Sequence, residues 1–117
     1  MKTTYLDIED RYELQTDNEE ITADVIIGNA QAGSYTFFLD KESKGQDQET
    51  LIGKSGEIRG SKLIVSALVQ DVRTETNWLS ITLGITEKGS TNKYGPYSKK
   101  VDTDLDRVLY TIIIDMV

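Results

Sequence analysis

Apolar residues recur at every second position over most of this chain, the period of strands that bury one face and leave the other to water. Leu6, Ile8, Tyr12 and Leu14 share one parity; Tyr5, Asp7, Glu9, Arg11 and Glu13 share the other, and Asp10 interrupts the apolar side. The polar cluster Thr16-Asp17-Asn18-Glu19-Glu20 marks a turn. Ile21, Ala23, Val25 and Ile27 then resume the alternation, and Tyr35, Phe37 and Leu39 repeat it beyond Asn29-Ala30-Gln31-Ala32-Gly33. These two runs predict a hairpin with a loop of about three residues and a positive φ at Gly33, bringing Ile27 near Tyr35 and Val25 near Phe37.

The longest apolar segments are Leu63 to Val69 and Trp78 to Ile85, separated by the polar stretch Thr74-Glu75-Thr76-Asn77. They predict a central hairpin. If facing residue numbers sum to 150, Ile81 faces Val69, Leu83 faces Ala67 and Ile85 faces Val65, and one surface is almost wholly apolar. The other surface then gathers Trp78, Val72, Leu68 and Ile64 among Ser80, Gln70, Thr82 and Ser66. Shifting the pairing by one would mix Gln70 and Ser66 into the first surface, so the first register is preferred. A half-apolar second surface needs a cover, either a loop of the same chain or another chain.

The remaining segments read as connections and one terminal strand. Asp40 to Thr50 is charged and has nothing to bury, which predicts a loop. Leu51-Ile52 and Glu57-Ile58-Arg59 are short β-type pieces punctuated by Gly53, Gly56 and Gly60. Between Thr86 and Val101, Gly, Asn and Pro density predicts a long surface loop; Pro96 cannot donate to a ladder, so any strand near Ser98 to Val101 belongs at an edge. Asp102 to Asp106 form another polar turn. Val108, Tyr110, Ile112, Ile114 and Met116 make an unbroken apolar face opposite the mixed set Leu109, Thr111, Ile113, Asp115 and Val117. That pattern predicts an interior strand whose removal unfolds the domain.

Seven or eight strands without a 3.6-residue period predict one all-β domain over residues 1–117, an antiparallel two-sheet β-sandwich of immunoglobulin-like or jelly-roll-like type. At 117 residues the chain can bury roughly 65% of its unfolded surface, enough for a core without staples.

Composition narrows the chemistry. Cysteine and histidine are both absent, which removes disulfides, thiolate zinc sites, cysteine nucleophiles and histidine-dependent triads. The net charge of −7 opposes binding to nucleic acid or anionic lipid, and neither is an expected partner. No segment has the length of a membrane helix, and the amino terminus has no apolar run of signal-peptide length.

Four local patterns invite a functional reading. Gly53-Lys54-Ser55 resembles the end of a phosphate loop, but Gln48 stands where the earlier glycine belongs and no helix is predicted after it. Asp102, Asp104 and Asp106 could offer oxygens to calcium, although Arg107 and Ile113 occupy the glycine and glutamate positions of an EF-hand loop; a solvated turn is the simpler reading. Tyr94 and Tyr97 could present two rings from a loop to a sugar or a protein, or pack back to pin that loop. Acidic residues allow a glycosidase-like pair on paper, but sequence cannot place two of them across a cleft.

The expectation is therefore a non-enzymatic module with no catalytic residues, metal or cofactor, acting as a protein-interaction or structural subunit. Protein partners or self-association are preferred. The alternative is a carbohydrate- or small-ligand-binding module using loop aromatics. Candidate contact residues for either are Trp78, Val72, Leu68, Ile64, Tyr94 and Tyr97.

Overall fold

A computed structural model describes residues 1–29 and 31–117, so Ala30 of the first expected hairpin loop lies outside the described residues. These form, in chain order, β1 (Thr3–Tyr12), β2 (Glu20–Ile27), β3 (Ala32–Leu39), β4 (Glu42–Gln46), β5 (Thr50–Lys54), the helical turn α1 (Ser55–Ile58), β6 (Lys62–Gln70), β7 (Trp78–Glu87), β8 (Ser90–Lys100) and β9 (Arg107–Met116). Two sheets pack face to face, one ordered β1-β9-β6-β3-β4 and the other β5-β2-β7-β8. The two-sheet β-sandwich is as the alternation predicts, with nine strands in place of seven or eight. One pairing departs from the antiparallel expectation: β1 lies parallel to β9, Thr3 beside Arg107 through Tyr12 beside Met116.

The core lies between the sheets and is built from the predicted parities. Ile21, Ala23 and Val25 of β2, Phe37 of β3, Leu63 to Val69 at odd positions of β6, Leu79 to Ile85 at odd positions of β7, and Val108 to Met116 at even positions of β9 are all buried. As predicted, β9 is interior, held between β1 and β6. Tyr110 crosses the core: its hydroxyl lies within donating distance of the Tyr97 carbonyl at 2.9 Å and the Leu79 carbonyl at 3.2 Å. Burial pushes its pKa up to about 12, so it remains a neutral donor tying the two sheets together.

Both predicted hairpins are in fact crossovers between sheets. β6 pairs with β3 and β9, and β7 pairs with β2 and β8, so Val69 stands beside Val108 and Gly33, while Ile81 stands beside Ile27 and Tyr97. The register summing to 150 does not exist. Likewise Ile27 pairs with Ile81 and Tyr35 with Ala67. The reason is that an apolar face satisfies the same parity whether its partner is a neighbouring strand or a strand across the sandwich. Gly33 is needed for close approach rather than for a positive φ: a Cβ there would stand 2.7 Å from the Leu68 carbonyl oxygen and 2.9 Å from Ile27 Cδ1.

Two expected loops are strands at sheet edges. Residues 42–46 form β4, paired with β3 through a bulge; its polar sequence, with Glu42 and Lys44, suits an edge that must resist pairing with other chains. The predicted loop after Thr86 is a tight turn at Lys88 and Gly89, both with positive φ, followed by the eleven-residue β8. Pro96 does lie on an edge strand. Glu57 and Ile58, expected in a β-type piece, belong to the single turn α1.

Candidate interaction surface

Each strand of a sheet sends alternate side chains outward, so the pairing register fixes which residues lie side by side on the outer face. On the five-stranded sheet β1, β9, β6 and β3 form five lateral rows. They are Thr3, Arg107, Gln70, Ala32; then Tyr5, Leu109, Leu68, Ser34; then Asp7, Thr111, Ser66, Thr36; then Glu9, Ile113, Ile64, Phe38; and finally Arg11, Asp115, Lys62. Two apolar rows thus flank a hydroxyl row, with polar rows at both ends. Leu109, Leu68, Ile113, Ile64 and Phe38 are half-buried by their in-plane neighbours and Tyr5 is exposed. Among the described residues the only helix is the single turn α1, and it packs on β5 of the other sheet.

This face is charge-balanced although the chain is not. Arg11, Arg107 and Lys62 offset Asp7, Glu9 and Asp115, against a net −7 overall. Lys62 Nζ lies 2.6 Å from Asp115 Oδ1. Arg11, Arg59 and Arg73 pair with Glu13, Asp17 and Glu75. Arg107 has no carboxylate partner among the described residues: one guanidinium nitrogen donates to Thr3 Oγ1 at 3.1 Å, and its buried Nε has no acceptor. A buried donor without a partner costs about 1–3 kcal/mol. The guanidinium lines a depression of about 210 Å³ with Ala32, Gly33, Ser34, Leu68 and Gln70.

The candidate residues do not form one surface. Leu68 and Ile64 lie together on the face just described. Trp78 lies on the other sheet, beside Lys100 at the end of β7, exposed at 47%. A groove of about 300 Å³ there is lined by Thr74, Glu75, Thr76, Asn77, Trp78 and Lys100. Val72 lies in the β6–β7 crossover, exposed, with its amide donating to Gln31 Oε1 at 2.8 Å. The separation follows from β6 and β7 belonging to different sheets. Leu109, Ile113, Phe38 and Tyr5 complete the β6 surface. The mixed odd parity of β9 signalled Leu109 and Ile113, whereas the β3–β6 and β1–β9 neighbour relations that add Phe38 and Tyr5 have no sequence signal.

Tyr94 and Tyr97 are half-buried and packed against the core. Tyr94 stands beside Leu83 and Tyr97 beside Ile81, with Gly95 and Pro96 bulged between them. The bulge shifts parity, letting both rings face inward. The Tyr94 hydroxyl donates to the Arg11 carbonyl at 2.7 Å, joining β8 to the end of β1 at the rim of the sandwich.

The remaining polar patterns are structural. Asp106 accepts from the amides of Lys2 at 2.9 Å and Thr103 at 3.1 Å; the Lys2 amide leads the interactions that hold its carboxyl below the usual range. Asp102 pairs with Lys2, and among the described residues no three acidic side chains come together as a set that could hold a metal ion. Ser55 Oγ is occupied by Thr16 Oγ1 at 2.9 Å and the Glu19 amide at 3.1 Å, and one turn of helix cannot cradle phosphate.

Two buried carboxylates hold the ends of the sandwich. Asp71 accepts from Gln31 Nε2 at 3.2 Å, and from the Asn77 amide at 2.8 Å with that amide oriented to suit the network. Glu87 accepts from the Tyr12 hydroxyl at 2.8 Å, the Thr16 amide at 2.9 Å, the Gln15 amide at 3.1 Å and the Thr16 hydroxyl. Burial is the largest single influence on Glu87 and opposes its charge, but these donors together hold its carboxyl below the usual glutamate range. Both groups are engaged by the chain's own donors.

No protein-family profile matches this chain, and no curated protein or solved structure does so either. None of the described helices is long and apolar enough to cross a membrane.

Proposed function

We propose that this β-sandwich is a non-enzymatic interaction or structural module whose contact surface is the outer face of the five-stranded sheet. The observation that carries the reading is the pair of apolar rows, Tyr5-Leu109-Leu68 and Ile113-Ile64-Phe38, flanking the hydroxyl row Thr111-Ser66-Thr36 on a charge-balanced face of a strongly acidic chain. The largest apolar patch on a protein surface is often its functional contact site. The buried carboxylates, by contrast, serve crossovers and turns, which supports a module that works by contact rather than by chemistry.

A second reading rests on Trp78. An exposed indole beside Thr74, Thr76, Asn77 and Lys100 in a shallow groove offers a stacking surface and hydrogen-bonding groups to a sugar. The tyrosine pair gives this reading less, since both rings pack inward.

Bis-ANS titration at micromolar protein, run with a glycan array, separates the two. The interaction reading expects dye binding that Ile113→Lys abolishes and Ile26→Lys on the other sheet leaves intact, with no glycan signal. Dye binding indifferent to Ile113→Lys, or a defined glycan whose binding Trp78→Ala removes, would overturn it.

A further inference from the structure

The centre of the outer face of the five-stranded sheet, β9 with β6, is complementary to itself, which, granted that this face is the contact surface, identifies the partner. Along β9 the outward residues run Arg107, Leu109, Thr111, Ile113, Asp115; along the antiparallel neighbour β6 they run Gln70, Leu68, Ser66, Ile64, Lys62. Both read the same from either end in apolar and hydroxyl positions. β9 in addition carries opposite charges at its ends. A pattern of this kind is what an isologous contact requires, because each residue must suit the residue that symmetry places opposite it.

We infer that the partner is a second copy of this chain, stacked face to face about a two-fold axis that runs along the Thr111–Ser66 row, between the two faces. Under that operation Leu109 meets Ile113 of the second copy, Leu68 meets its Ile64, and Thr111 and Ser66 meet their own counterparts. Arg107, which has no carboxylate partner among the described residues, meets Asp115 of the second copy, and the contact occurs twice. The Arg107 guanidinium, held within the described residues by Thr3 Oγ1 and by no carboxylate, and the opposite charge of Asp115 at the far end of β9 are both met by this placement. Balanced charge on this face is what lets two chains of net −7 approach here rather than elsewhere.

The same operation brings Phe38 opposite Ser34 and Glu9 opposite Tyr5 at the margins, and Asp7 opposite Asp7 of the second copy. It lies on the marginal strand β1, where the twist between stacked sheets carries the margins apart, so its repulsion weakens the contact without forbidding it. Four strands about 4.8 Å apart and five rows about 6.8 Å apart give a patch on the order of 500 Å² per copy, the size of a weak, reversible interface. A Kd in the micromolar to millimolar range is expected.

Sedimentation equilibrium from micromolar to millimolar protein, at physiological ionic strength, tests this on the intact chain. The wild type is expected to pass from monomer to dimer. Arg107→Glu and Asp115→Arg should each weaken the dimer about a hundredfold, and the two combined should restore it, because the reversed charges again meet as opposites. Asp7→Asn should tighten it. Circular dichroism checks that each variant is folded; all three positions lie on the surface of the sheet. A wild type that stays monomeric at millimolar concentration overturns the second copy as partner. If bis-ANS still reports the Ile113 surface, the broader reading of this face survives that result. A dimer indifferent to the charge reversals, or one the double reversal fails to restore, overturns the two-fold; if Ile113→Lys leaves that dimer unchanged too, the face itself is wrong.

Discussion

The two outer faces of the sandwich arise from the same alternation, yet they present different surfaces. On the five-stranded sheet, outward Leu, Ile and Phe side chains of adjacent strands share lateral rows and cover one another's flanks. On the four-stranded sheet the exposed apolar residues Leu51, Ile26 and Trp78 are separated by Thr82, Gly84, Thr86, Thr91 and Lys93, and Gly84 leaves a depression of about 280 Å³ between Asp24 and Lys93. A similar choice of residues thus gives two laterally pooled apolar rows on one side and scattered contacts on the other. Strand order decides which, because only lateral neighbours in register pool their apolar area.

The contrast can be broken first at the boundary between inside and outside. Ile112 and Ile113 are adjacent in sequence but face the core and the outer surface. Ile112→Ala should cost about 2–5 kcal/mol in denaturant unfolding, whereas Ile113→Lys should change stability by less than about 1 kcal/mol while removing self-association. Equal losses at both positions would mean that the outer face is covered by the chain itself.

A smaller effect separates the two sheets through pH. Glu87, on β7, has its carboxyl held low in the folded protein, so the unfolded chain binds its proton more readily. Its contribution is present above the ordinary glutamate value of about 4.3 and is lost as pH falls through the lower folded value. Glu87→Gln should lower stability at neutral pH by about 1.5–3 kcal/mol and flatten the fall of Tm below that value; an unchanged acid limb would contradict the assignment. Tyr110→Phe, which removes the bridge between sheets while keeping the ring, should cost about 1 kcal/mol, seen as a lower midpoint with an unchanged denaturant slope.

The smallest expected effect is on Trp78, the only tryptophan, which reports on the four-stranded face. Its emission should stay constant across the concentration range in which the dimer forms. A blue shift would move the contact to the other sheet.

The β-sandwich was legible because burial imposes a period of two, and the parities of β2, β6, β7 and β9 were correct throughout. Strand neighbours were not legible. Parity is blind to whether Ile81 faces Val69 beside it or across the core, so two crossovers read as hairpins. β4 was missed because its edge position leaves it no apolar side chains, and β8 because its inward tyrosines lie three apart across a bulge. The candidate surface inherits these errors: Leu68 and Ile64 were placed on a half-apolar face correctly, but Trp78 and Val72 were grouped with them through a hairpin that does not form. Leu109, Ile113, Phe38 and Tyr5 join them only once β9, β3 and β1 are known to lie alongside.

The absence of cysteine permits a direct test of which face makes contact. Single cysteines at Thr111→Cys and Thr82→Cys place one thiol on the outer face of each sheet, and a bifunctional maleimide spanning about 10 Å matches the separation of stacked sheets. At concentrations where the wild type associates, Thr111→Cys should be captured as a covalent dimer and Thr82→Cys should remain monomeric. Capture through Thr82→Cys with none through Thr111→Cys would contradict the assignment of the contact to the five-stranded face.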